Sequence, residues 1–113
     1  MYTKLAGVSF DGRQEVIRTL KEGDILNLIR DKNNVHDVNA VRVETQDGRQ
    51  VGWSRAEIAQ LAGPAMDKDL KYRCTIKQIT GEYGVTNLGV NVFLEPDDMI
   101  KAASMAEQNT DKL

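Results

Sequence analysis

The chain has 113 residues, 41% of them hydrophobic and 28% charged, with a formal net charge of −2. That length sets one domain with a single modest core, and that charge excludes a protein that coats long nucleic acid by neutralising its phosphates. One cysteine, Cys74, and one histidine, His36, exclude an internal disulfide and a closed structural zinc site.

No signal-peptide pattern opens the sequence, and no apolar run reaches the length of a membrane span. A cytoplasmic protein with no membrane partner is therefore expected. Lys4 to Phe10 reads as a first strand, with Gly7 marking a bulge or a close backbone approach. Asp11 has the chemistry of a helix N-cap, with Gln14 at capping-box spacing, and Val16, Ile17 and Leu20 give a short helix its apolar face. Gly23 suits its left-handed terminus. Asp24 to Arg30 follows as a strand apolar on both faces, hence central.

Ala40 to Thr45 alternates, Val41 and Val43 against Arg42 and Glu44. Asp47-Gly48 turns it into a hairpin. Arg49 to Trp53 returns with Val51 and Trp53 on the inner face. Ser54 and Glu57 form a second capping box, and Ile58, Leu61, Ala62 and Ala65 supply the buried face of a second helix that Pro64 kinks or ends. Lys71 to Thr80 and Leu88 to Leu94 alternate as two further strands, joined by a flexible tip over Gly81 to Asn87. The expected fold is mainly β: a small six-stranded antiparallel barrel with two flanking α-helices over residues 1–96. Residues 97–113 are expected to form a C-terminal helix or a flexible tail, with Met99, Ile100 and Ala103 on one face.

Between the central strand and the hairpin lies Asp31-Lys32-Asn33-Asn34-Val35-His36-Asp37-Val38-Asn39-Ala40. Asp and Asn side chains bond to nearby backbone groups, so this stretch is expected to be a structured loop. It fails as a calcium loop, because Val35 and His36 stand where an oxygen ligand and a glycine are needed. Enzyme chemistry finds little support. No nucleophile motif accompanies His36, Cys74 alternates with apolar residues as a buried thiol does, and no phosphate-binding glycine loop occurs. No catalytic residue, metal or cofactor is expected.

Binding chemistry fits better. An unpaired nucleotide is held by a stacking surface, a few hydrogen bonds and a few cations. Phe10, His36, Trp53 and Tyr83 are the aromatic candidates. Phe10 serves equally to cap the first strand, Trp53 to fill the core, and His36 to sit idle on the surface. Arg30 and Lys32 flank the loop, and Arg55 lies in the first turn of the second helix, where free N–H groups favour an anion. The same cations suit an ordinary solvated surface.

Several pieces resemble a known family in combination. They are Leu5-Ala6-Gly7-Val8-Ser9-Phe10 with Gly12-Arg13-Gln14-Glu15, and Leu28-Ile29-Arg30-Asp31 running into Asn33 to Val41. Gly48-Arg49-Gln50-Val51-Gly52-Trp53, Glu57-Ile58-Ala59 and Gly89-Val90-Asn91-Val92 complete them. Together they resemble a HIRAN domain over Leu5 to Glu95, with the free-standing bacterial and phage modules as the nearest form. The resemblance implies an OB-like barrel and capture of the 3′ end of single-stranded DNA, in DNA repair or replication-fork processing; the sequence leaves open whether the module works alone, as a dimer, or with a separately encoded helicase or nuclease.

Carried over by position, Asp37 accepts a hydrogen bond from the terminal 3′-hydroxyl. Asn34 and the start of the second helix lie near phosphates, and Phe10 and His36 near the last bases. The chain departs from DNA-binding members at Val35-His36, where they carry Pro-Tyr, and at Phe10-Asp11, where they carry paired tyrosines. Each lost stack removes about 1–3 kcal/mol per base. The expected function is a non-catalytic 3′-end-binding module. The alternative is a protein-interaction module that binds no nucleic acid, which the acidic balance and the missing tyrosines favour.

Overall fold

Six strands, several of them alternating buried β-branched residues with polar ones, form in this computed structural model, which describes residues 1–97. In chain order the elements are β1 (Tyr2–Lys4), α1 (Arg13–Ile17), β2 (Ile25–Arg30), β3 (Val41–Glu44), β4 (Gln50–Trp53), α2 (Ala56–Asp67), β5 (Tyr72–Thr80) and β6 (Gly89–Pro96). All pairings are antiparallel, and the sheet order is β1-β6-β5-β2-β3-β4. β2 is central, as its two apolar faces require. Beyond β1 the chain reaches Ala6, which exchanges two backbone hydrogen bonds with Trp53, of 2.8 and 2.9 Å. That bridge brings the two ends of the sheet together into a small, partly open barrel. Gly52 permits it: a Cβ there would meet the Ala6 carbonyl oxygen at 2.6 Å.

Inside lie Leu5, Ile17, Leu26, Val43, Val51, Cys74, Ile76, Leu88, Val90, Val92 and Leu94. Each Val or Ile removed from water contributes about 1.5–3 kcal/mol. Cys74 is fully buried among them. Ile17 plugs the barrel from α1. Gln14 ties α1 to both neighbouring segments: its Nε2 donates to the carbonyls of Val8 (2.9 Å) and Leu88 (3.0 Å), and its Oε1 accepts from Leu88 N–H (2.7 Å). Among the described residues no helix is long and apolar enough to cross a membrane.

Several sequence expectations need correction. α1 is capped by Gly12 in the left-handed conformation and has no side-chain cap, so Asp11 and Gln14 do not form a capping box. Asp11 instead sits 3.6 Å from Arg13. α2 begins after Arg55, again without a side-chain cap, so the Ser54–Glu57 box is also absent. The helix runs unbroken through Pro64 to Asp67. Gln60, whose carbonyl the proline leaves without an N–H donor, is an exposed residue. Leu61 is 63% exposed; the buried residues of α2 are Ala59, Ala62 and Gly63.

The segment over 81–87 is a hydrogen-bonded turn in which Glu82 O accepts from Val85 and Thr86 N–H, and Thr86 Oγ1 accepts from Glu82 N–H. The helix expected near Met99 lies outside the described residues.

Candidate functional site

The loop between β2 and β3 is built from its own side chains. Asn34 Oδ1 accepts from the N–H groups of His36 (2.9 Å) and Asp37 (3.0 Å), and Asp37 Oδ1 accepts from Asn39 N–H (2.8 Å). Asp31 N–H closes the base on Ala40 O at 3.0 Å. These are the side-chain-to-backbone bonds that Asx residues favour over sheet pairing. Arg30 fastens the loop from behind. Its guanidinium donates to Val38 O (2.5 Å) and Ala40 O (3.1 Å), and it holds both oxygens of Asp67 at 3.1 and 3.3 Å. α2, to which Asp67 belongs, also lies close against the loop: a Cβ on Gly63 would meet Asn39 O at 2.7 Å.

In front of the loop opens a cleft of about 360 Å³, lined by Ala6, Asn34, His36, Asp37, Ala40, Trp53, Ser54 and Ala56. Asp37 is half-buried there. Its Oδ1 is committed to Asn39, and its Oδ2 has no donor among the described residues. Asn34 likewise spends Oδ1 on the loop and keeps Nδ2 unused.

Trp53 reaches this cleft because of a bulge. Val43 pairs with Gly52 and Glu44 with Gln50, so Val51 is the extra residue. Val51 and Gly52 both face the interior, and Trp53 turns out opposite Arg42. A regular strand would have put Val51 and Trp53 on one face, so the expected inner placement of Trp53 is corrected. The first turn of α2 contributes Ala56 and uncapped backbone N–H groups. Among the described residues no Lys or Arg lines the cleft. Among the described residues no cluster of three or more His, Cys, Asp or Glu could hold a metal.

The family model described as the HIRAN domain matches residues 1–97. The chain belongs to the HIRAN family. No curated protein matches it. Among solved structures, this HIRAN domain is similar to the crystal structure of a protein from Lactobacillus plantarum, at TM-score 0.74 and 19% identity, covering 84% of this chain and 89% of that one. It is also similar to the crystal structure of the HIRAN domain of human HLTF, at TM-score 0.63 and 21% identity, covering 90% and 80%. The NMR structure of the HLTF HIRAN domain matches at TM-score 0.52 and 23% identity, covering 95% and 87%. At these identities the likeness shows a shared fold.

Of the residues singled out in the sequence, this HIRAN domain brings Asn34, His36, Asp37 and Trp53 into one cleft. Arg55 stands at its rim between two lining residues, with its Nε 3.0 Å from Glu57. Arg30 is occupied behind the loop, and exposed Lys32 lies 3.5 Å from the same Asp67. Phe10 is 63% exposed in the turn before α1 and does not line the cleft. Tyr83 is drawn to α1, where its hydroxyl donates to Glu15 and the Arg18 guanidinium covers its ring at 4.2 Å. Ala6 and Ala40 were not anticipated, and Ser54 and Ala56 only as part of the start of the second helix. Small residues carry no chemical signal in a sequence; the barrel closure brings them together. Ser54 Oγ is buried there with no partner among the described residues.

Proposed function

We propose that this HIRAN domain is a non-catalytic module that binds the 3′-hydroxyl end of single-stranded DNA in the Asp37 cleft, serving DNA repair or replication-fork processing with a separately encoded helicase or nuclease. The observation that carries the reading is Asp37 itself: it lines the cleft, one of its carboxylate oxygens is fixed by the loop, and the other has no donor among the described residues. An ionised carboxylate accepts and cannot donate, so it pairs with a hydroxyl and repels a phosphate. Asn34 Nδ2 and the uncapped start of α2 supply donors for the adjoining phosphates. His36 and Trp53 flank the terminal base, with Arg55 at the rim and Phe10 and Lys32 exposed beyond it. Arg30 acts through the loop it holds.

The test is a fluorescence-anisotropy titration of oligonucleotides that differ only at the 3′ terminus. A hydrogen bond to a charged group is worth about 1.5–3 kcal/mol, so the 3′-hydroxyl form is expected to bind about 10- to 150-fold tighter than the 3′-phosphate form. Equal affinity for both ends contradicts the reading.

One observation favours a protein-interaction role. Val35 and Val38, on the same loop, are 90% and 70% exposed. A partner protein captured through these valines, with no oligonucleotide bound at low salt, decides for that role.

A further inference from the structure

We propose that the strand whose 3′ end enters the cleft continues in the 5′ direction along the outer face of β1, to a second site where a base stacks on Tyr2. The inference rests on the reading of the cleft given above and adds a track that leads away from it.

The register of β1 sets the track. Tyr2 pairs with Phe93 and Lys4 with Asn91, while the next bridge joins Ala6 to Trp53. Val92 and Leu5 are buried, so Tyr2, Lys4 and Ala6 share the outer face. Ala6 and Trp53 already line the cleft. Tyr2 lies four residues away, about 13 Å along an extended strand. Lys4 stands between them. Its stem crosses β6 over Gly89, with Cε and Nζ only 3.0 and 3.3 Å from where a Cβ on that glycine would be.

At the far end is a hollow of about 540 Å³, lined by Tyr2, Thr3, Glu22, Lys77, Gln78 and Asn91. Tyr2 is 74% exposed and rests against its cross-strand neighbour Phe93, with ring centroids 4.7 Å apart and planes tilted by 48°. The ring is thus supported on one side while most of it stays open to solvent. Lys77 Nζ is 5.9 Å from the Phe93 centroid. Neither Lys4 nor Lys77 has a carboxylate at ion-pair distance among the described residues, whereas Arg73 on the same sheet has two. Asn91 Nδ2 donates to Gln78 Oε1 at 3.1 Å, which leaves the Gln78 amide N–H groups and the Asn91 carbonyl for a base edge. Glu22 is the one carboxylate on the wall. A supported aromatic face, two unpaired lysines and a pair of amides form the combination that holds an unpaired nucleotide. Its continuity with the cleft selects single-stranded DNA over an unrelated partner.

The experiment is an anisotropy series on the full chain with 3′-hydroxyl oligothymidylates from dinucleotide to decanucleotide. Affinity is expected to rise with length and then level off. Tyr2→Ala is expected to remove about 5- to 150-fold of the affinity for the longest oligonucleotide, to leave the dinucleotide unaffected, and to preserve the preference for a 3′-hydroxyl. Tyr2→Phe is expected to restore stacking. The Lys4→Ala/Lys77→Ala pair is expected to lower the slope of log affinity against log salt by about 1.4, two phosphates' worth on a single strand. Tyr2 is exposed, so an unchanged thermal melt is the folding control. Affinity that is independent of length and insensitive to Tyr2→Ala overturns the track alone. A missing end preference overturns the reading of the cleft, and no binding of any oligonucleotide overturns both.

Discussion

At Asp37 the two carboxylate oxygens have different tasks. Oδ1 holds the loop through Asn39 N–H, and Oδ2 has no donor from the described residues, in a side chain that lines the cleft. The same division recurs at Asn34, where the carbonyl staples two N–H groups and the amide nitrogen has no partner among the described residues. Residues that fold a loop with one atom and present the other arrive at the site already oriented, which reduces the entropy lost on binding. Cys74 is the opposite case. Burial removes solvent from the thiolate and pushes the thiol up to about 12, from an ordinary value near 9. Its raised value stabilises the fold fully below the unfolded thiol's value, and that contribution is lost as pH climbs toward 12. At pH 8 the native protein is therefore expected to resist thiol alkylation, and to react once denaturant opens the barrel. Mass spectrometry that finds native Cys74 alkylated as fast as the unfolded chain contradicts this.

At the scale of elements, the loop is held by the Arg30 guanidinium and by α2, which are joined to each other through Asp67. Gly63 sets that contact, since a Cβ would meet Asn39 O at 2.7 Å. Alanine ordinarily favours a helix over glycine by about 1 kcal/mol. Here Gly63→Ala is expected to have the reverse effect, displacing the loop and lowering both the melting temperature and the preference for a 3′-hydroxyl. A rise in melting temperature with binding intact contradicts the close contact.

The same elements show how much was legible in the sequence. Val41, Val43, Cys74, Ile76, Val90 and Val92 alternate, and burial follows that alternation. The Asx loop was legible because Asn34 and Asp37 state their chemistry in their identity. The caps were not, since a glycine conformation and an uncapped extended residue replace the expected Asp11 and Ser54. Nor was the face of Trp53, because one extra residue in β4 reverses the side-chain alternation, and no residue type announces that.

For the whole molecule, a net charge of −2 and a cleft lined by no Lys or Arg among the described residues leave few cations for phosphate neutralisation, so the proposed end binding draws little on released counterions. Binding is expected to weaken gently with salt. The slope of log affinity against log salt should correspond to about one to three released counterions, some 0.7 per phosphate on a single strand. A slope several times steeper indicates a broad phosphate-coating surface and contradicts the small-site account. The fold also explains why the cleft exists at all. The bridge from Ala6 to Trp53 closes the barrel, and that closure sets Ala6, Trp53 and Ser54 opposite the loop.

The central claim is that the Asp37 carboxylate tells a hydroxyl terminus from a phosphate one. The most direct measurement is the ratio of affinities for 3′-hydroxyl and 3′-phosphate oligonucleotides in the wild type and in Asp37→Asn, an isosteric change that removes the charge and adds an N–H donor. The predicted result is a ratio of about ten or more in the wild type that falls toward one in the variant, with the 3′-phosphate form gaining affinity. A ratio that Asp37→Asn leaves unchanged contradicts the claim.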